Sequence, residues 1–137
     1  MVESPSKEKC AMNGKFVIDT NVIIDYLNGQ EDLRPLSKQI ASGIGFVSVI
    51  TRMELFSFPS LTPDGESGLK RFLADLIVVP LNDEIEQASI TIRRDTRLKL
   101  PDAIVAATAW VKDAILITRD KSLLSVKWPG LKTLTLQ

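Results

Sequence analysis

Phe16-Val17-Ile18-Asp19-Thr20-Asn21-Val22-Ile23-Ile24 is an apolar run broken by three polar residues. Up to Ile18 it reads as a buried strand. Beyond the break, Val22, Ile23, Tyr26 and Leu27 recur at helical intervals, so the pattern changes from strand to helix across Asp19-Thr20-Asn21. In an open α/β sheet, ligands bind just past the carboxyl ends of the strands, and Asp19 falls there. Aspartate is also a good helix N-cap. Taken alone, the stretch suits a cap and a site equally well.

The same strand-to-helix switch recurs outward from this point. Ile44–Val49 is a second apolar, β-branched and aromatic run, and Thr51-Arg52-Met53-Glu54 opens a helix after it. Pro59, Pro63 and Gly65 mark a loop, Ser67–Ala74 a short helix, and Leu76–Val79 a third strand. Asn82 is a suitable cap for a helix reaching to about Leu98, with Asp83 and Glu84 favoured by its dipole. Lys99-Leu100-Pro101 interrupts it, and Pro101 suits the first position of a new helix. That helix, Asp102–Lys112, is small or apolar almost all round and so reads as buried. Ala114–Ile117 is a fourth strand, Lys121–Leu124 a short helix, and Leu131–Leu136 an alternating edge strand. Residues 20–28 and 31–42 complete the helices. Short continuous apolar strands alternating with helices imply βαβ units. The expected fold is a three-layer α/β/α sandwich around a parallel sheet of about five strands, with right-handed crossovers. Residues 1–14 are polar and aperiodic and read as a flexible N-terminal extension to a single domain over 15–137.

Composition removes several classes of function. With 137 residues, 45% of them hydrophobic, the chain can bury a core without staples. Seventeen basic residues balance 17 acidic ones, so a polyanion would need a local basic patch rather than net charge. One cysteine, Cys10, permits no intrachain disulfide, in keeping with a reducing compartment. No apolar run approaches the ~18 residues of a membrane span, and a cytoplasmic location is expected. There is no histidine.

Four acids then stand out. Asp19 follows the first strand, Glu54 lies about a helical turn past the second, and Asp120 follows the fourth. Asp102 opens the buried helix leading into that fourth strand. A parallel sheet presents all its strand carboxyl ends along one edge, so the first three acids are delivered there, and Asp102 can lean on the same crevice. Each also has a capping explanation: Thr51-x-x-Glu54 is a capping-box pattern, Asp102 favours the dipole behind Pro101, and Asp120 can cap the short helix. If they converge, their repulsion raises their pKa values unless a cation neutralises them. Hard oxygen donors without histidine select Mg²⁺ or Mn²⁺. This points to metal-assisted phosphoryl chemistry with a water on the metal as nucleophile. Thr20, Asn21 and Thr118 are small polar groups suited to support such a site. Arg52, Arg93, Arg94, Arg97, Lys99 and Arg119 flank three of the acids and could grip a polyanion, although Arg93, Arg94 and Arg97 also suit a solvated helix face.

Val17-Ile18-Asp19-Thr20-Asn21-Val22, Thr51-Arg52-Met53-Glu54-Leu55, Leu100-Pro101-Asp102-Ala103-Ile104-Val105-Ala106-Ala107-Thr108-Ala109 and Leu116-Ile117-Thr118-Arg119-Asp120 together resemble the four motifs of PIN domains. The nearest likeness is to the VapC-like toxin ribonucleases of toxin–antitoxin pairs, over about residues 15–136. The resemblance implies a PIN-like three-layer fold and Mg²⁺- or Mn²⁺-dependent cleavage of RNA. It implies that Asp19, Glu54, Asp102 and Asp120 are metal-binding and catalytic, with Thr118 accompanying them. It also implies a homodimer and a small antitoxin that obstructs the site. Two other readings share the architecture. A non-catalytic RNA- or protein-binding domain would lack some of the acids, and none is missing. A phosphoacceptor receiver domain would want paired acids after the first strand, where Thr20 and Asn21 stand instead.

Overall fold

The computed structural model describes residues 14–29, 38 and 42–135. All but Gly14 of the expected extension over 1–14, and most of the expected helix over 31–42, lie outside the described residues. Five strands form one sheet: β1 (Lys15–Ile18), β2 (Ile44–Ser48), β3 (Ile77–Val79), β4 (Ile115–Ile117) and β5 (Lys132–Leu134). The order is β3-β2-β1-β4-β5, and every pairing is parallel. The described helices, numbered in chain order, are α1 (Thr20–Leu27), α2 (Val49–Phe56), α3 (Pro63–Ala74), α4 (Asp83–Asp95), α5 (Leu100–Lys112) and α6 (Lys121–Ser125).

The inner strands are mostly apolar because both faces of the sheet are covered, whereas the edge strand β5, Lys132-Thr133-Leu134, is only partly buried. Alternate residues point to opposite sides. Val17, Phe46, Val79 and Leu116 pack with α4 and α5, including Ile85, Ile92, Val105 and Ala106, and with Leu123 of α6. Phe16, Ile18, Val47, Ile115 and Ile117 pack on the other face with Val22 and Ile23 of α1, Leu55 of α2 and Leu69 and Leu73 of α3. These two clusters are the two interfaces of an α/β/α sandwich.

Several boundaries differ from the sequence expectation. The third helix begins at Pro63 rather than Ser67, because Thr62 is its N-cap, accepting the Gly65 N–H at 3.0 Å, and Pro63 occupies a first-turn position that needs no N–H. The helix after β2 begins at Val49 rather than Thr51, because Ser48 is its cap and accepts the Ile50 N–H at 3.2 Å. Helix α4 stops at Asp95, where Thr96 turns extended and its hydroxyl donates back to the Ile92 carbonyl at 2.6 Å. Leu100, not Pro101, opens α5, and its cap Lys99 makes no side-chain bond. Helix α5 ends on Asp113, in the left-handed region at φ 53°, whose carboxylate meets Lys132 at 2.8 Å. Among the described residues no helix is long and apolar enough to cross a membrane.

Candidate functional site

The chain runs from β1 outward through β2 to β3, then returns to place β4 on the other side of β1. Such a reversal of strand order opens a crevice at the carboxyl edge of an α/β sheet. Asp19 caps α1 at that point: its Oδ1 accepts the Thr20 N–H at 2.8 Å, and its own N–H donates to the Ile117 carbonyl across the β1–β4 junction at 2.9 Å. The second carboxylate oxygen, Oδ2, accepts the Thr118 hydroxyl at 2.7 Å. Asp19 is only 5% exposed and Thr118 is fully buried. Thr118 also accepts the Asp120 N–H at 3.0 Å, while Asp120 Oδ1 caps α6 through the Ser122 N–H at 2.7 Å. One threonine thus ties the ends of the two central strands together.

Glu54 reaches the same crevice from the side of β2. The Thr20 hydroxyl donates to its Oε1 at 2.7 Å and lies 3.2 Å from the hydroxyl of buried Thr51. The capping-box reading of Thr51 and Glu54 therefore gives way: Thr51 sits within α2, one turn before Glu54, and both face α1. Asp19, Thr20, Asn21, Glu54, Asp102 and Asp120, with Ser57 and Phe58, line one open cleft of about 440 Å³. All four sequence-selected acids are on its wall. Thr118 lies beneath it, bonded to Asp19.

The electrostatics follow from that crowding. Burial pushes the Asp19 carboxyl above its ordinary range, with the charges of Asp120 and Glu54 adding to the effect, while the bonds from Thr118 and Thr20 oppose it. Asp102 is pushed up to about 6, first by burial and then by Asp120, Asp19 and Glu54, with Lys99 pulling the other way. Asp102 thus feels the other three acids, and Asp19 two of them, although the motifs lie far apart in the chain. As donors, four carboxylates with no nitrogen or sulfur among them fit a hard divalent cation such as Mg²⁺ or Mn²⁺. Among the described residues no three of these side chains already stand as a ligand set around one point.

The basic residues divide. Arg119 forms a 3.0 Å ion pair with Asp25 of α1, so it braces the β4–α6 loop against α1. Arg52, Arg93, Arg94, Arg97 and Lys99 are exposed, and Lys99 is close enough to Asp102 to influence its titration. Thr51 entered the sequence reading only as a cap partner of Glu54, and Ser57 and Phe58 were not singled out. The i, i+3 spacing of Thr51 and Glu54 carried a signal for the first. Ser57 and Phe58 follow the end of α2, and nothing in their pattern marks them.

A family model described as PIN domain matches residues 16–129. Solved structures similar to this chain include VapBC2 from Rickettsia felis bound to a DNA fragment from its promoter (17% identity, 90% of this chain and 99% of that chain, TM-score 0.76). A toxin–antitoxin complex from Klebsiella pneumoniae is 29% identical over 84% of this chain and 93% of that chain, with a TM-score of 0.71. DNA-bound VapBC from Salmonella typhimurium is 22% identical over 88% and 97%, with a TM-score of 0.76. A search of curated proteins finds no match. The fold is thus shared with VapBC structures, and the family model spans most of the described chain. The chain belongs to the PIN domain family.

Proposed function

We propose that this chain is a Mg²⁺- or Mn²⁺-dependent endoribonuclease that hydrolyses RNA phosphodiester bonds, and that it is the toxin of a VapBC-type toxin–antitoxin pair. The observation that carries this reading is the gathering of Asp19, Glu54, Asp102 and Asp120 around one cleft. Asp19, Glu54, Asp102 and Asp120 would hold the cation. When bound, such a cation neutralises the carboxylates, polarises the phosphodiester and makes a coordinated water more acidic. Thr118 fixes Asp19, and Thr20 fixes Glu54, so two of the four carboxylates are oriented before substrate arrives. Without a cation Asp102 is pushed up to about 6, and joining the ligand set would hold it ionised; the sequence supplies no histidine to act as a base. The net reaction adds water across a P–O bond.

Support for the toxin assignment comes from the Klebsiella pneumoniae structure, itself a toxin–antitoxin complex. The same reading carries a cognate antitoxin, a homodimer and a cytoplasmic site of action.

Purified protein incubated with total RNA tests the reaction. Cleavage is expected with Mg²⁺ or Mn²⁺, and is expected to stop in EDTA and in Asp19→Asn. Cleavage that survives either condition overturns the proposal. RNA that is bound and left intact at every metal concentration returns the chain to the non-catalytic alternative.

A further inference from the structure

A second groove, of about 480 Å³, lies beside the acidic cleft and is lined by Asp95, Thr96, Arg97, Ser122, Ser125 and Lys127. It joins two segments that are separate in the chain. Residues 93–99 carry Arg93, Arg94, Arg97 and Lys99 against one acid, Asp95; residues 121–127 carry Lys121 and Lys127 and no acid. In a chain of zero formal net charge, the fold therefore concentrates cations next to its densest group of carboxylates. Arg97 and Lys127 have no ion pair among the described residues, although Asp95 lines the same groove. Two uncompensated cations around a polar groove are suited to a phosphate.

The position relative to the cleft gives the groove its meaning. Ser122 on its wall donates its N–H to Asp120 Oδ1 on the wall of the cleft, at 2.7 Å. The two residues stand two apart in the chain, a span of at most roughly 7 Å. From this geometry we infer that the groove binds a backbone phosphate of the RNA strand whose neighbouring phosphodiester lies in the acidic cleft, with Arg97 and Lys127 as its ligands. This inference rests on the ribonuclease reading for the identity of the strand. A strand drawn to the acidic cleft alone would meet repulsion, and the adjoining cations offset it. Phosphate contacts of this kind set register and do not read sequence.

Binding measured without metal separates the groove from the chemistry. The probe is a labelled single-stranded RNA of about twelve nucleotides, within the usual footprint of a single-strand groove. It is titrated in EDTA over a salt series against wild type, Arg97→Gln/Lys127→Gln, and Lys15→Gln/Lys132→Gln. The last pair makes the same charge change at the opposite edge of the sheet, where β1 and β5 begin. The groove variant is expected to bind about tenfold more weakly near 0.1 M salt, with the slope of log K against log salt reduced by about 1.4 for two lost single-strand contacts. The opposite-edge variant is expected to keep the wild-type affinity and slope. Thermal melting of each variant verifies folding. An unchanged slope in the groove variant, an equal loss in the opposite-edge variant, or no RNA binding by the wild type overturns the inference. Binding of polyglutamate but not RNA, lost in the groove variant, overturns it too, and assigns the groove to an acidic protein segment. Wild type that binds RNA here yet never cuts it with Mg²⁺ or Mn²⁺ defeats the nuclease reading alone.

Discussion

Asp19 shows how one carboxylate can be both a cap and a site residue. Its Oδ1 satisfies the first N–H of α1, and its Oδ2 holds Thr118 in the crevice. Asp120 does the same for α6. Capping and site readings therefore coexist, because helix starts and ligand sites share the carboxyl edge of the sheet. Glu54 depends on hydroxyls instead. The Thr20 hydroxyl donates to Glu54 Oε1 at 2.7 Å and lies 3.2 Å from the Thr51 hydroxyl, so it links α1 to two residues of α2. Thr20→Val is expected to leave the buried Thr51 hydroxyl without its partner, at a cost of about 1–3 kcal/mol in urea unfolding, and to lower metal-dependent cleavage at least tenfold. Thr20→Ser keeps both bonds and should stay near wild type in both assays; a serine variant as impaired as valine would show that the methyl, not the hydroxyl, matters. Asp102 gives a pH signature. Its folded pKa of about 6 exceeds the ordinary ~3.9 of an unfolded aspartate. Between those values the native state holds more protons than the unfolded state, so stability falls as pH rises from about 4 to about 6 and then levels. Urea midpoints of metal-free protein across that window should show the fall, and Asp102→Asn should make it shallower, with Asp19 keeping a share.

At the scale of elements, α5 does the most to define the core. Ala103, Ala106, Ala107 and Ala109 are completely buried, and the helix lies between α4 and the sheet. Small side chains let it approach both neighbours closely. Ala106→Leu inserts three carbons where no space remains and is expected to cost about 1–3 kcal/mol, read as a lower urea midpoint with an unchanged m value. An unaltered midpoint would mean that the α4–α5 interface yields easily. The burial of α5 was legible from its composition, as the strands were from their continuous apolar runs. Boundaries were less so. Pro63 and Gly65 looked like loop residues because proline and glycine usually are, yet a first helical turn tolerates both when Thr62 caps it. Thr51 illustrates the limit for the site. Its spacing to Glu54 suits a capping box, and only the tertiary approach of α1 reveals the bond to Thr20 instead. The convergence of the acids followed from parallel strands having a common carboxyl edge. The pairing of Arg119 with Asp25, 94 residues apart in sequence, had no local signal at all.

For the whole molecule, the consequence of this topology is a standing electrostatic penalty. The sheet order brings Asp19 and Asp120 to either side of the β1–β4 junction, with α2 and α5 adding Glu54 and Asp102. The fold is stable despite the repulsion because two apolar interfaces hold the strands together. A divalent cation binding the native cleft and not the unfolded chain then stabilises by mass action, by about 2.7 kcal/mol at a hundredfold excess over its Kd. In a domain of this size that corresponds to roughly 10 °C in Tm. Mg²⁺ and Mn²⁺ at millimolar levels should therefore raise the melting temperature of the purified protein, and EDTA should reverse the rise. Monovalent salt at equal ionic strength should do much less, since screening acts weakly on partly buried charges. Asp102→Asn and Asp19→Asn should each shrink the metal shift. Asp102→Asn should also raise the metal-free Tm at neutral pH, because one of four mutually repelling charges is gone. A Tm that ignores both divalent ions, or a variant that keeps the full shift, would show that these carboxylates share a cleft without sharing a cation.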